Sequence, residues 1–446
     1  MKILHVVALI QASTGGPAVS VTRLASEQAK LGHEVTLACL DYPHLGPQVA
    51  APGVRVVSVR GNVFAVRGRG WSPKFKRVLM EEAVKADIVH NHGLWMWPNA
   101  YAREAAVAAG KPLIISPRGM LEAWSLGRSK LRKAVAWRLF ERKNLQSAAM
   151  FHATAESERE SIREASKRLR DQETKRPRDQ ETTKEVPIVV AANGVDLPDL
   201  NSRPGREVLE EKFPELKNRR WVVFMSRLHP KKGIDVLLRA WARQNVAHGA
   251  WSIEHGEGES RRGERPKDQE PERSRTADSP KANGAMLSRG QTKDLPVLIL
   301  AGSDLIGYRR EVEKMVRELG VQDSVVITGE LQGEMKDALL ANTEVFVLPS
   351  YSENFGIVVA EAMAWGRSVI ASTGTPWQEV AEVGAGWWVE PEEEPLAKAL
   401  AEAMGKSPEE LEEVGSRGRT LVAERYGWSV PAQRLLAAYE DLLTTK

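Results

Sequence analysis

The chain has 446 residues, too many for one hydrophobic core and suited to two domains of ordinary size. Apolar residues make up 42% and charged residues 27%, the balance of a globular protein, and a net charge of +4 from 63 basic and 59 acidic side chains is too small to call for a nucleic-acid partner. The single cysteine, Cys39, rules out an intrachain disulfide and fits a reducing, cytoplasmic compartment, and no apolar run approaches the roughly 18 residues of a membrane span.

Lys2 followed by an apolar run over 3–10 has the outline of a short signal peptide. However, His5 interrupts it, no small-x-small cleavage site follows, and Gly15-Gly16-Pro17 at once opens a helix running to about Leu31. The run therefore reads as a first buried strand, over 3–9. Further strands are expected at 34–40, 54–59, 87–90, 112–116, 150–154 and 188–191. Several are apolar throughout, as parallel strands covered on both faces must be, and the mixed segments between them read as helices. Strands alternating with helices at this spacing predict a doubly wound α/β domain. After a polar stretch over 196–220 the rhythm restarts, with strands at 221–225, 297–301, 325–328, 345–348 and 368–371. The expected organisation is a first domain over 1–200, a second over 201–428, and a helix within 429–446 able to pack back across the boundary.

Residues 165–186 and 256–294 break this rhythm. Both are dense in Arg, Lys, Glu, Asp, Gln and Pro, repeat Asp-Gln-Glu, and hold almost no large apolar side chain. Such composition buries too little surface to offset its ordering entropy, so both are expected to be disordered, dispensable insertions. Gly256-Glu257-Gly258 lies at the start of the second, with no helix to follow, and carries no weight as a nucleotide loop.

The segment with most chemistry runs from Pro349 to Gly366 and contains Glu353-Asn354-Phe355-Gly356 and Glu361. A strand ends at Leu348, a loop follows, and a helix is expected to start near Asn354 or Phe355. Glu353 then sits at the carboxyl end of a parallel strand, where open α/β sheets bind ligands, with free amides at Phe355 and Gly356 that suit a phosphate. A helix-end carboxylate and a solvent-facing Glu361 account for the same pattern. Ser226-Arg227 through Lys231-Lys232-Gly233 places cations between a strand and a helix, where they can stabilise an anionic group or simply face water. Ser13-Thr14-Gly15-Gly16-Pro17 follows the first strand: either a tight turn or a close backbone approach to a ligand. His90 and His92 fall on one face of their strand, and no cysteine or third zinc ligand lies near in sequence, so the pair also suits a structural role. Arg118 follows the strand over 112–116 and is expected to face the cleft and touch an acceptor or a phosphate, or to cap the surface.

Glu353, seven residues, then Glu361, with Asn-Phe-Gly and Glu-Ala-Met-Ala in and around them, resembles the signature of the family-4 retaining glycosyltransferases. The resemblance covers nearly the whole chain outside the two insertions and is weakest over 41–85. It implies two Rossmann-like domains facing across a cleft, the GT-B fold. It also implies that Glu353 contacts donor-sugar hydroxyls, Glu361 the ribose, and Asn354 to Gly356 the sugar and phosphates. Arg227 and Lys232, rather than Lys231, would bind the diphosphate, and Gly15 and Gly16 would close over it beside the acceptor. His92, or failing it His90, would meet the donor sugar near the reacting carbon, making His92 and Glu353 the catalytic pair. Asn193-Gly194-Val195-Asp196 matches the family's turn at the end of the first domain, and Gly374-Thr-Pro-Trp377-Gln-Glu379 a glycine-rich turn and Glu.

The implied reaction is retaining transfer from a nucleotide diphosphate sugar to a glycan or lipid-linked acceptor, as in cell-surface polysaccharide assembly, with no covalent enzyme intermediate and no cofactor. The chain holds no Asp-x-Asp, so no metal is expected and side-chain cations must meet the leaving group. An epimerase of the same fold and a non-catalytic sugar-nucleotide binder are the alternatives; a phosphorylase has no context for pyridoxal phosphate, and a dehydrogenase lacks its glycine fingerprint. Residues 118–143 hold eight Lys/Arg against two Glu, with Trp124, Trp137 and Phe140. Their apolar residues form no clean stripe along the sequence, so a solvated helix is expected, with peripheral contact at the inner face of a membrane as the alternative.

Overall fold

The computed structural model describes residues 1–61, 69–127, 129–173, 185–255 and 296–445. Apolar runs that do not alternate need cover on both faces, and they form the strands of two parallel sheets. The first contains β1 (Lys2–Leu9), β2 (Glu34–Asp41), β3 (Arg55–Arg60), β4 (Ile88–His92), β5 (Leu113–Ser116), β6 (Met150–Ala153) and β7 (Ile188–Val190), in the order β3-β2-β1-β4-β5-β6-β7. The second contains β8 (Trp221–Met225), β9 (Val297–Ala301), β10 (Val325–Gly329), β11 (Val345–Leu348), β12 (Ser368–Ser372) and β13 (Gly386–Val389), in the order β10-β9-β8-β11-β12-β13. Each order reverses once, between β1 and β4 and between β8 and β11. At such a reversal successive connections leave on opposite faces, and a crevice opens beyond the carboxyl ends of the two strands.

Both crevices face the same cleft. Helix α1 (Gly16–Lys30) starts in it, just after β1, and α2 (Glu156–Glu173) follows β6. In the second domain α3 (Ile234–His255) follows β8, α4 (Glu334–Asn342) follows β10, and α5 (Ile357–Ala364) follows β11. The chain crosses between domains at Asn193–Asp196 and returns after Tyr426; there the Val195 amide donates to the Tyr426 carbonyl at 2.8 Å. Helix α6 (Ser429–Thr444) then buries Ala432, Leu435, Leu436 and Tyr439 against Ile3, Val7, Val21 and Leu24 of the first domain.

Two expectations need correction, and two strands add detail. The segment from 165 is not all insertion: α2 runs to Glu173 and buries Ile162 and Leu169. The remainder of that insertion over 174–184, and 256–294 with Gly256-Glu257-Gly258, lie outside the described residues. The strand after the second insertion, β9, lies inside its sheet, paired with β8 and β10. Residues 386–389, where the sequence offered no strand, form edge strand β13 on β12. Finally, the helix expected at Asn354 or Phe355 begins at Ile357, because Gly356 takes a left-handed conformation (φ +70°) before it.

Candidate active site in the interdomain cleft

On the second-domain side the two motif loops are locked together by glycine. A Cβ on Gly233 would stand 2.1 Å from the Pro349 carbonyl oxygen, and its φ of +68° is left-handed, so only glycine lets the loop after β8 lie on the loop after β11. The Tyr351 amide donates to the Lys231 carbonyl at 2.9 Å across that contact. The result brings Lys232 onto Glu353: the two form an ion pair, both nearly buried, and Ser350 Oγ donates to the same carboxylate at 2.9 Å. The Glu353 amide is held by the Gly374 carbonyl at 2.7 Å, and the Trp377 indole by the Phe355 carbonyl at 2.6 Å, so the Gly374–Trp377 turn fixes the loop from behind. Arg227 is exposed at the end of β8, with no ion-pair partner among the described residues.

Glu361 lies on α5, away from this pair. Its Oε1 accepts from the Lys336 ammonium at 2.7 Å, while its Oε2 is buried with no partner among the described residues. It opens onto a cavity of about 300 Å³ lined by Arg23 of α1, Lys336 of α4, Trp365 and Trp428. An unpartnered buried carboxylate oxygen is costly, and a ligand hydroxyl would satisfy it.

On the first-domain side, Gly15 (φ +92°) turns the chain into α1, and a Cβ placed on Gly15 or Gly16 would meet none of the described residues within 4 Å. The backbone there is open to a ligand, with the helix's positive end behind it. Arg118 has a left-handed backbone (φ +57°), a strained state for a non-glycine residue of the kind found at functional sites. Its guanidinium donates to Asn193 Oδ1 at 2.7 Å, Ser20 Oγ at 3.3 Å and His92 Nδ1 at 3.1 Å, while its Nε is buried without a partner among the described residues. Burial lowers its pKa to about 10, with Glu158 opposing the shift.

His92 does not project into the cleft as a free group: it is 3% exposed, and both its ring nitrogens have protein partners. Strand pairing supplies the third histidine that sequence spacing lacked. His5 on β1, with His90 and His92 on β4, brings three ligand atoms within 4.8 Å, and His152 on β6 adjoins them. Partners fix every tautomer. A guanidinium only donates, so His92 Nδ1 accepts, and its Nε2–H donates to His5 Nδ1 at 2.9 Å; His5 Nε2–H then donates to Gln28 Oε1 at 2.7 Å. Likewise His152 Nε2–H donates to the Ala191 carbonyl at 2.8 Å. Ser116 therefore donates to His152 Nδ1 at 2.6 Å, His90 Nε2–H to Ser116 at 2.8 Å, and the Tyr439 hydroxyl to His90 Nδ1 at 2.6 Å. Burial keeps all four rings neutral, lowering His5 to about 4 and His152 to about 3; His90 and His92 also lie well below the usual value.

Four residues that sequence reasoning passed over, Glu122, Thr154, Glu158 and Lys336, complete the site. Glu122 stands 3.6 Å from the Lys231 ammonium and accepts from Ser352 Oγ at 3.4 Å, its pKa raised by burial. Asn354 Nδ2 donates to Thr154 Oγ1 at 2.8 Å, and Glu158 caps the Gly119 amide at 2.6 Å. Lys336 holds Glu361. Only Glu122, four residues beyond Arg118, had a signal in the sequence. These contacts draw the domains together: a Cβ on Gly119 would lie 3.1 Å from the Asn354 Cβ.

Residues 15–173 match the glycosyl transferase 4-like domain family and residues 286–421 the glycosyl transferases group 1 family. Among curated relatives, the MMP alpha-(1->4)-mannosyltransferase of Mycolicibacterium hassiacum is 34% identical over 29% of this chain and 32% of its own. The GDP-mannose:cellobiosyl-diphosphopolyprenol alpha-mannosyltransferase of Komagataeibacter xylinus is 28% identical over 33% of this chain and 37% of its own. The chain thus matches about a third of the length of these curated relatives. Among solved structures, Anabaena Alr3699/HepE in complex with UDP and glucose superposes with a TM-score of 0.67 at 17% identity, over 99% of this chain and 100% of the other. A UDP-forming trehalose-phosphate synthase from Burkholderia xenovorans gives 0.66 at 13%, over 99% of both chains. These two structures share the fold.

Proposed function

The chain belongs to the group 1 glycosyl transferases, with a glycosyl transferase 4-like first domain, and from that membership we propose that it moves a sugar from a nucleotide diphosphate sugar to a glycan or lipid-linked acceptor, retaining the anomeric configuration and using no metal. The observation that carries this reading is the pairing of Lys232 with Glu353 at the β8/β11 switch point, opposite the open backbone of Gly15 and Gly16.

In this reading the nucleoside occupies the cavity at Glu361, whose free oxygen takes the ribose hydroxyls, and the diphosphate lies between Arg227, Lys232 and the amides at Gly356. Glu353, held by Ser350, accepts from donor-sugar hydroxyls. As the bond from the anomeric carbon to the phosphate oxygen breaks, Lys232 and Arg227 meet the charge that develops on the diphosphate. The acceptor oxygen bonds to the same face of that carbon and gives its proton to the departing phosphate oxygen, so retention needs no covalent intermediate. Arg118 faces the acceptor, and His92 acts by holding Arg118. Closure through Asn354–Thr154 and Glu122–Ser352 keeps water from the reacting carbon.

The test is release of nucleoside diphosphate from a panel of UDP-, GDP-, ADP- and dTDP-sugars, with and without EDTA. We expect release from one donor class, unchanged by EDTA and reduced about a hundred- to a thousandfold in Lys232→Ala and Glu353→Ala. If no nucleotide sugar is turned over or bound, the reading fails; if EDTA abolishes release, the metal-free part fails.

A further inference from the structure

The chain is helical without a break from 130 to 146: Lys130–Ala136 as an α-helix, Trp137–Glu141 as a π-turn, and Arg142–Gln146 as an α-helix again. Its inner face is settled, with Ala136, Phe140, Glu141, Asn144 and Leu145 buried and the Glu141 carboxylate accepting from the Trp95 amide at 2.7 Å. Its outer face is not what a soluble protein normally shows. Leu131 is 85% exposed, Val135 59% and Leu139 60%. A step of four residues overshoots an α-turn by roughly 40°, while the wider π-turn falls short, so the three side chains come back into line. The stripe that sequence periodicity hid is restored by the π-turn.

The charges around the stripe are one-signed. Arg132, Arg138 and Lys143 are exposed and Arg142 half-exposed beside it, and the one acid between Ser129 and Lys143 is the buried Glu141. Among the described residues no helix is long and apolar enough to cross a membrane, so any membrane contact made by them is at a surface. An apolar ridge flanked by guanidinium groups matches a bilayer surface with anionic headgroups: the ridge enters the acyl boundary while the arginines stay at the phosphates. A second copy of the chain would bring like charges together across the same ridge.

We propose that the helical segment over 130–146 seats the protein on an anionic membrane surface through Leu131, Val135 and Leu139, with Arg132, Arg138 and Arg142 on the headgroups. This seating does not depend on the transfer chemistry. Yet it bears on the acceptor: the segment leads directly out of the cleft loop that carries Arg118 and Glu122, so a lipid-linked acceptor in the same leaflet would lie beside that opening.

The test is co-sedimentation of the full chain with vesicles of phosphatidylcholine alone or mixed with phosphatidylglycerol, at low and high salt. Binding is expected only with phosphatidylglycerol, weakening with salt. Replacing all three arginines by glutamine should lower vesicle affinity on the order of a hundredfold, and the triple variant L131Q/V135Q/L139Q at least about tenfold. Because these side chains are exposed or, for Arg142, half-exposed, thermal unfolding and nucleotide-sugar hydrolysis should not change. The proposal is overturned if the native chain ignores phosphatidylglycerol vesicles at low salt, or if the apolar variant binds them undiminished. It is equally overturned if the native chain is a dimer that this variant turns into a monomer, since a second copy would then cover the ridge.

Discussion

Gly15 and Gly16 are neighbours with different reasons to be glycine. Gly15 needs its positive φ, so any side chain there strains the turn. Gly16 starts α1 with an ordinary φ and empty space in front of it. Gly16→Ala should therefore fold with unchanged or slightly raised stability, while its methyl occupies the space proposed for the diphosphate. We expect thermal unfolding to hold within about 0.5 kcal/mol while donor affinity, read by calorimetry, falls at least tenfold. Unchanged donor affinity would remove the first-domain glycines from the site.

The sheet of the first domain carries a polar seam through its centre, with His5 on β1, His90 and His92 on β4, Ser116 on β5 and His152 on β6. Its histidines titrate far below the unfolded value of 6.5. As pH falls below 6.5 the unfolded chain binds protons that the folded seam refuses, so stability is full above 6.5 and drops toward pH 4, by roughly 2 kcal/mol for each histidine on going to about pH 5. Glu141, raised by burial to about 7, has the opposite sign: its contribution is full below its usual 4.5 and is lost as pH rises through 7. Denaturant titrations from pH 7 to about pH 5 should therefore show a shallower pH slope in His5→Gln than in the native chain; an equal slope would mean the seam is already charged.

How much of this was legible is also an element-scale question. The β8 and β11 loops were legible because Lys-Lys-Gly and Glu-Asn-Phe-Gly each follow an unbroken apolar strand, so their place at strand ends followed from the run alone. The seam was not, because parallel pairing brings together residues 87 and 62 positions apart, and neither a period nor a spacing records it. β13 was missed because its four residues start with glycine and are half-exposed. The end of α2 was missed because Ile162 and Leu169 are its only large apolar buried anchors among the described residues, in a charged run.

At the scale of the whole molecule, the two domains are joined by two crossings rather than one, and α6 ends up in the core of a domain it does not follow in sequence. The Tyr439 hydroxyl, donating to His90 Nδ1, ties that helix to the seam. Tyr439→Phe would leave a buried imidazole nitrogen unpaired, costing about 1–3 kcal/mol. We expect a lower denaturation midpoint for the first domain, with protease nicking first near residues 426–429; no loss of stability would show that apolar packing alone holds α6.

The return of α6 also sets an order of events on the ribosome. The strands it covers are complete once β7 has been made, but their cover emerges more than two hundred residues later. At roughly 5–20 residues per second, Ile3, Val7 and Val21 wait some tens of seconds with one face bare. The first domain is synthesised first and finished last, and during that interval its surface is one a holding chaperone would recognise.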